Sequence, residues 1–220
     1  YEKLAKHIRG NRLYCKWENY AAVSGRIQSH EPNIQGFPRI VRECTILPNQ
    51  GDVLIRADYV SEELVIMAIL AKDTQLLCDI QSGVDLHARM AAMLFDKDVD
   101  EVLAEERKLS KHMTFACLYG AGCNTLKAMA EEKNVLKSLS GSAIQRIIKT
   151  VYPAMKALEE RSKKTNQIVF VDGSVLKLSD IKKQYSAVNR MIQGSGSIIL
   201  KQVMDDLFKK LPEEARIVCL

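Results

Sequence analysis

Four residues at fixed spacing carry the strongest chemical signal in this 220-residue chain. Arg107, Lys111, Phe115 and Tyr119 recur every fourth position, and side chains four apart stack along one face of an α-helix. Two cations followed by two aromatics can grip a polyanion at one end and stack on a flat ring at the other. A nucleoside triphosphate has that order of parts: phosphates, sugar, base. Taken alone, the same stripe also describes an exposed basic turn followed by two core aromatics. A second signal is Asp58, read at the exit of an apolar strand, Val53 to Ala57, and just before a helix. A carboxylate there is placed to hold a metal ion, with the carbonyl of Tyr59 as a further oxygen. Magnesium takes few protein carboxylates and fills its octahedron with phosphates and water. An aspartate in such a place is also a common turn or cap residue.

The pattern around these residues predicts the elements that position them. Residues 39–46 and 53–57 read as strands joined by the turn Pro48-Asn49-Gln50-Gly51. Ser61 is a candidate N-cap for an almost wholly apolar, buried helix over 62–71. Asp85 can cap a helix to about Phe95, with Leu86, Met90 and Met93 on one face. The next helix runs from about Asp100 to Tyr119 and stops at Gly120-Ala121-Gly122. Its apolar stripe is Leu109, Met113, Ala116 and Cys117. Shorter helices are expected at about 124–133, 142–151 and 154–165, the last two separated by Pro153. Residues around Asp172-Gly173 read as a β-hairpin. A long helix over about 185–210 contains Gly194 and Gly196, each costing ~1 kcal/mol relative to alanine. Something is expected to approach the backbone there. The fold class is α+β and rich in helix.

Composition narrows the classes. At 47% hydrophobic and 27% charged residues the chain reads as an ordinary globular protein. The longest apolar run, Leu64 to Ala71, is far short of a membrane span. The N-terminus lacks the apolar core of a secretory signal, so neither a membrane nor secretion is expected. The six cysteines, at 15, 44, 78, 117, 123 and 219, have no CxxC spacing and read as scattered buried thiols of a reducing compartment. Net charge is +5, but its distribution says more. Residues 1–50 carry 8 basic and 4 acidic side chains, 51–140 carry 10 and 15, and 141–190 carry 10 and 4. Basic flanks suit a polyanion, and an acidic centre suits a divalent cation. Solvated helix faces account for the same distribution.

Four segments then point to one family. SGRIQSHEPNIQGFP (24–38), ADYVSEEL (57–64), RKLSKHMTFACLYGAG (107–122) and NRMIQGSGS (189–197) occur in order. Together they resemble the polymerase domain of family A DNA polymerases, the DNA polymerase I type. The resemblance covers about 24 to 220. The YGAG ending and the short VDGSVLKL hairpin look more like the phage replicative branch. The resemblance implies a right-hand polymerase, with α-rich fingers inserted in a partial antiparallel-sheet palm. The palm would occupy 1–60, the fingers 61–180, and the chain would return to the palm over 181–220. The implied activity is template-directed deoxynucleotidyl transfer to a primer 3′ end with two Mg²⁺ ions. Primer–template DNA and deoxynucleoside triphosphates would be its partners, in the cytoplasm of a bacterial or phage-infected cell. No processivity partner can be named.

The resemblance also implies roles. Asp58 would be the first of two metal-binding aspartates, with the Tyr59 carbonyl beside it. Arg107 and Lys111 would clasp the triphosphate, and Lys111 is a candidate general acid to pyrophosphate. His87 would touch the phosphates, although by itself it reads as a surface histidine on a helix's first turn. Phe115 would stack on the incoming base and Tyr119 would close the pocket behind it. Glu63 would exclude a ribose 2′-hydroxyl. Its bland alternative is a glutamate favouring the helix dipole, like Glu62. Arg26, Asn33, Gln35, Asn189 and Gln193 would check the minor groove, where every correct pair presents acceptors. Equally, Asn33 and Gln35 read as loop amides.

Several positions depart from the family pattern. Val65 replaces the arginine that usually follows Glu-Leu. Thr114-Phe115-Ala116 stands in place of Asn-Phe-Gly, and Tyr185 in place of an arginine. The third family motif, a His-Asp-Glu hairpin with the second metal aspartate, is expected just after Leu220, so the chain reads as a fragment, inactive as it stands. Two rivals remain: a single-subunit RNA polymerase, against which Glu63 and the Phe115–Tyr119 pair argue, and a non-catalytic primer–template-binding protein.

Overall fold

The computed structural model describes residues 2–19, 24–38, 40, 49, 51–132, 140–180 and 187–217. The chain divides into two compact units, one of residues 1–61 with 196–220 and the other Glu62–Ser195.

The first unit opens with a short helix, α1 (Glu2–Ala5), and two small antiparallel hairpins. β1 (Ile8–Arg9) pairs with β2 (Arg12–Leu13), and β3 (Lys16–Glu18) with β4 (Gln28–His30) in the register Trp17↔Ser29. Each of these strands is only two or three residues long and mostly exposed. The expected strand over 39–46 lies almost wholly outside the described residues. The one over 53–57 does not form: residues 52–59 have no regular structure, and Val53 and Ile55 are 79% and 85% exposed. Alternating apolar residues make a strand only where another strand completes the ladder and covers a face. Among the described residues none pairs with this one.

The second unit is helical apart from one hairpin. α2 (Glu62–Ala71) packs on α8 (Pro153–Thr165), and α3 (Thr74–Gln81) packs on α2. Leu64, Ile66, Met67, Ala68 and Leu70 of α2 are buried, whereas Ile69 is exposed. Ser61 has φ 54°, not the extended backbone of a capping residue, so that expectation fails. The α3 helix was missed in the sequence, although Asp73 caps it by accepting the Leu76 N–H at 2.9 Å. It is only eight residues long, and of them only Leu76 is buried.

α4 (Leu86–Phe95) packs along α5 (Ala104–Leu118), with α6 (Cys123–Glu132) and α7 (Gly141–Val151) packed beside them. The Asp85 cap holds: its carboxylate accepts from the His87 and Ala88 N–H groups at 3.1 and 3.0 Å. Leu86 and Met90 are buried as expected, but Met93 is exposed and Leu94 takes the core position. α5 starts four residues later than expected. A 3₁₀ turn at Val99–Glu101 precedes it, Val102 and Leu103 are extended, and the Glu106 carboxylate accepts the Leu103 N–H at 2.9 Å. Its end is as the glycines predict. Gly120 takes φ 85°, its N–H reaches Cys117 O at 2.9 Å, and Ala121 N–H reaches Ala116 O at 2.8 Å. That pair of reversed bonds satisfies carbonyls the helix leaves open.

Tyr152 ends α7, and Pro153 begins α8 with a ring pre-set for a first helical turn. The hairpin forms between β5 (Gln167–Val169) and β6 (Val175–Lys177), in the register Ile168↔Leu176. The last helix, α9 (Ala187–Phe208), runs through Gly194 and Gly196. What approaches it is the Phe170 ring: a Cβ on Gly194 would sit 2.3 Å from Phe170 Cε1. Beside it, Ser195 Oγ accepts the Val171 N–H at 3.1 Å. Met67, Met90, Met113, Ile144, Ile148, Leu158, Ile168, Met191 and Ile192 make the centre of this unit, all almost fully buried. Of the four described cysteines only Cys117 is buried; Cys78 is exposed, contrary to expectation. Burial pushes the Cys117 thiol up to about 11, which leaves it an unreactive packing group.

Candidate nucleotide site

The stripe on α5 exists as a stripe. Lys111 Nζ lies 5.9 Å from the Phe115 ring centre, and the Phe115 and Tyr119 ring centres are 6.3 Å apart. Arg107, Lys111 and Tyr119 are exposed and Phe115 is half-buried, while the opposite side of the helix, through Leu109, Met113, Cys117 and Leu118, faces the core. The two cations are thus on the surface and are not a by-product of core packing.

Two neighbouring helices bring further groups to this stripe. From the first turn of α2, the Glu63 carboxylate accepts the Tyr119 hydroxyl at 2.9 and 3.1 Å to its two oxygens. From the start of α4, the Asp85 carboxylate accepts Arg107 Nε–H, so one aspartate both caps α4 and aims the guanidinium. Burial alone would raise the Asp85 carboxyl. The Arg107 hydrogen bond, the Ala88 N–H and the Arg107 charge outweigh it and hold the group below the usual carboxylate range. The pairing of Asp85 with Arg107 was not foreseen, because helix periodicity gives no contact between residues 22 apart.

His87 is not a surface histidine. It is 9% exposed, its ring centre lies 5.9 Å from that of Phe115, and its Nδ1 is 3.3 Å from the Tyr152 hydroxyl. Burial, then the charges of Lys111 and Arg107, bring its pKa down to about 4 against the opposing pull of Asp85. At neutral pH the ring is uncharged. The α4–α5 contact is close because small hydroxyls line it. Ser110 Oγ lies 2.6 Å from His87 O, and Thr114 Oγ1 lies 2.9 Å from Ser110 O and 2.8 Å from Met90 Sδ. Thr114, one of the departures from the family pattern, is fully buried and hydrogen-bonded on both sides. Its neighbour Ala116 is half-buried, as is Val65, while Tyr185 lies outside the described residues.

The remaining expected residues fall into two groups. Asp58 and Tyr59 belong to the first unit and are exposed. Arg26, Asn33 and Gln35 lie in a loop of that unit organised by buried Ser29. Gln35 accepts the Ser29 N–H at 2.9 Å and donates to Ile27 O at 3.3 Å; Asn33 Oδ1 accepts the Gly36 N–H at 3.1 Å. These two amides, both exposed, hydrogen-bond within their own loop. Arg26 is exposed. Ser197 Oγ and Lys201 Nζ converge on the carbonyl of Gly25 at 2.6 and 2.7 Å, anchoring the loop's start. On α9, Asn189 and Gln193 are half-buried. Asn189 Oδ1 is the one buried side-chain oxygen or nitrogen without a partner among the described residues, an unmet acceptor of the kind a folded chain seldom leaves.

As a metal donor set, Asp58 offers one exposed carboxylate next to a backbone carbonyl. That fits a share of a magnesium octahedron completed by water and phosphate. It is not a cage, and no group of three acidic, histidine or cysteine side chains gathers among the described residues.

A solved structure described as the POL domain of Pol1 from M. smegmatis in complex with DNA primer-template and dNTP has the same fold, with a TM-score of 0.72 at 24% identity. The match covers 95% of this chain and 40% of that one. The chain belongs to DNA polymerase family A, whose family profile matches residues 1–219. Among curated relatives, DNA polymerase I of Aquifex aeolicus is 28% identical over 91% of this chain and 36% of its own length. DNA polymerase I of Pseudomonas aeruginosa is 29% identical over 96% of this chain and 25% of its own length. That of Treponema pallidum is 28% identical over 92% and 22%. The chain thus spans between about a fifth and about a third of the length of these relatives.

Proposed function

We propose that this chain supplies the nucleotide grip of a template-directed DNA polymerase, transferring deoxynucleotides to a primer 3′ end. The observation that carries the reading is the arrangement on α5. The exposed cations Arg107 and Lys111 lead into Phe115 and Tyr119, and Tyr119 is tied to Glu63. In this reading the cations hold the triphosphate, and Lys111 is placed to give a proton to the pyrophosphate as its charge grows. Phe115 stacks on the incoming base. Glu63, drawn to Tyr119, crowds the position of a 2′-hydroxyl. The tie between Glu63 and Tyr119 favours deoxynucleotide over ribonucleotide synthesis and so weighs against an RNA polymerase.

Asp58 and the Tyr59 carbonyl would hold Mg²⁺, which supplies activation of the primer hydroxyl and stabilisation of the leaving phosphates when bound. Primer–template DNA would be met by Arg26, Asn189 and Gln193, with Asn33 and Gln35 shaping the loop that carries Arg26. In this reading residues 1–60 and 181–220 belong to the palm and 61–180 to the fingers. No helix among the described residues is long and apolar enough to cross a membrane.

Primer extension by the complete protein carrying this sequence tests the reading. Asp58→Ala and Lys111→Ala are each expected to lower the rate at least a hundredfold, while salt-sensitive binding of primer–template persists. Extension at the wild-type rate in either variant refutes the role given to that residue. Binding without turnover in the wild-type protein would leave the non-catalytic alternative.

A further inference from the structure

The grip described above leaves one contact without a purpose, that between His87 and Tyr152. Tyr152 is fully buried at the junction of α7 and α8, with its hydroxyl 3.3 Å from His87 Nδ1. Burial raises the phenol's pKa well beyond any working pH, so its proton stays and needs an acceptor. Two groups act on that hydroxyl, His87 Nδ1 and the Thr114 side chain. Thr114 directs its own proton to Ser110 O or Met90 Sδ. An imidazole nitrogen is also the more basic acceptor. Donation by the phenol to Nδ1 would leave the single proton of the neutral ring on Nε2. Nε2 makes no hydrogen bond among the described residues.

We propose that Tyr152 is a positioning residue: its buried hydroxyl, donated to Nδ1, holds His87 in the Nε2–H form. An uncharged hydrogen-bond donor is thereby aimed at the triphosphate beside Arg107 and Lys111. The inference rests on the nucleotide-binding reading of that stripe. Its physical merit is that Arg107 and Lys111 already act on the ring electrostatically, and a third cation there would repel both. A neutral donor adds a phosphate contact without that repulsion.

The test uses the complete protein. ¹⁵N NMR of histidine-labelled enzyme at pH 7, with the His87 signal assigned by its loss in His87→Gln, is expected to show an Nε2–H ring. An Nδ1–H ring overturns the proposal. In primer extension, Tyr152→Phe keeps the packing and is expected to raise KM for the deoxynucleotide roughly three- to tenfold, the worth of one hydrogen bond, with a smaller change in kcat. The same substitution in a His87→Ala background is expected to do nothing further. An equal effect in both backgrounds makes Tyr152 a packing residue only and overturns the proposal. Lys111→Ala separates the two levels of the argument. If KM is unchanged there, the nucleotide site itself is wrong. If KM rises there while Tyr152→Phe is silent, only the role of Tyr152 falls.

Discussion

Removing a single oxygen from Tyr119 isolates the tie that the proposed sugar selection depends on. In Tyr119→Phe the ring keeps its place 6.3 Å from Phe115, but the hydrogen bond to the Glu63 carboxylate, 2.9 and 3.1 Å to its two oxygens, is lost. A hydrogen bond to a charged acceptor is worth about 1.5–3 kcal/mol when enclosed. Tyr119 is 43% exposed, and water takes over part of that bond, so about 0.7–1.4 kcal/mol is a fair share. If the bond is what keeps Glu63 against the sugar, that energy becomes a loss of discrimination by a factor of about 3 to 10. The assay is primer extension with paired ribo- and deoxynucleoside triphosphates, comparing the ratio of kcat/KM values. Glu63→Ala, which removes the carboxylate itself, is expected to lower the ratio further than Tyr119→Phe does. An unchanged ratio in both variants refutes the reasoning. A fall in Glu63→Ala alone assigns the gate to Glu63 and removes Tyr119 from it.

Two further expectations concern stability, and both are read by thermal or denaturant melts of the complete protein. Asp85→Asn keeps a good helix cap and removes only the charge facing Arg107. Because the Asp85 carboxyl is held below its ordinary value, its contribution is present above the unfolded pKa and lost as pH falls through the folded one. The variant should therefore melt below the wild type at pH 7 and lose less stability on acidification below about pH 4, so that the two converge in acid; identical acid profiles would count against the pairing. Gly194→Ala places a methyl group 2.3 Å from the Phe170 ring and should cost about 1–3 kcal/mol as overpacking. Phe170→Leu in the same chain should recover much of it, and a Gly194→Ala protein as stable as the wild type contradicts the close approach.

How much of this was legible in the sequence follows from the range of each interaction. Helices wrote themselves wherever capping residue, periodicity and glycine stop lay within one turn of each other. Asp85, the stop at Gly120, and the Tyr152–Pro153 break between α7 and α8 are of this kind. The segment over 53–57 did not, since alternation states that a residue would suit a strand and is silent on whether another strand is there. The stripe on α5 was readable because stacking every fourth residue is a property of one helix. Its partners were not all readable. Asp85 lies 22 residues from Arg107, Glu63 lies 56 from Tyr119, and Tyr152 lies 65 from His87. Glu63 was reached only through the family resemblance. Burial of His87 required knowing that Phe115 and Tyr152 pack against it, and no local pattern carries that. A tyrosine immediately before a helix-starting proline is the one hint the chain gave of Tyr152.

The hydroxyls of Ser110 and Thr114 have a mechanical consequence. They let α5 press close against α4 with each polar atom satisfied, one of them by the His87 carbonyl itself. Sliding one helix along the other would break these bonds inside a sealed interface, where no water can replace them. The two helices must then travel as one stiff lever, with exposed Lys111 and buried His87 fixed in register. If this part of the chain swings during a catalytic cycle, the groups proposed to face the phosphates arrive together or not at all. A substitution such as Thr114→Val, buried in the interface, would loosen that timing.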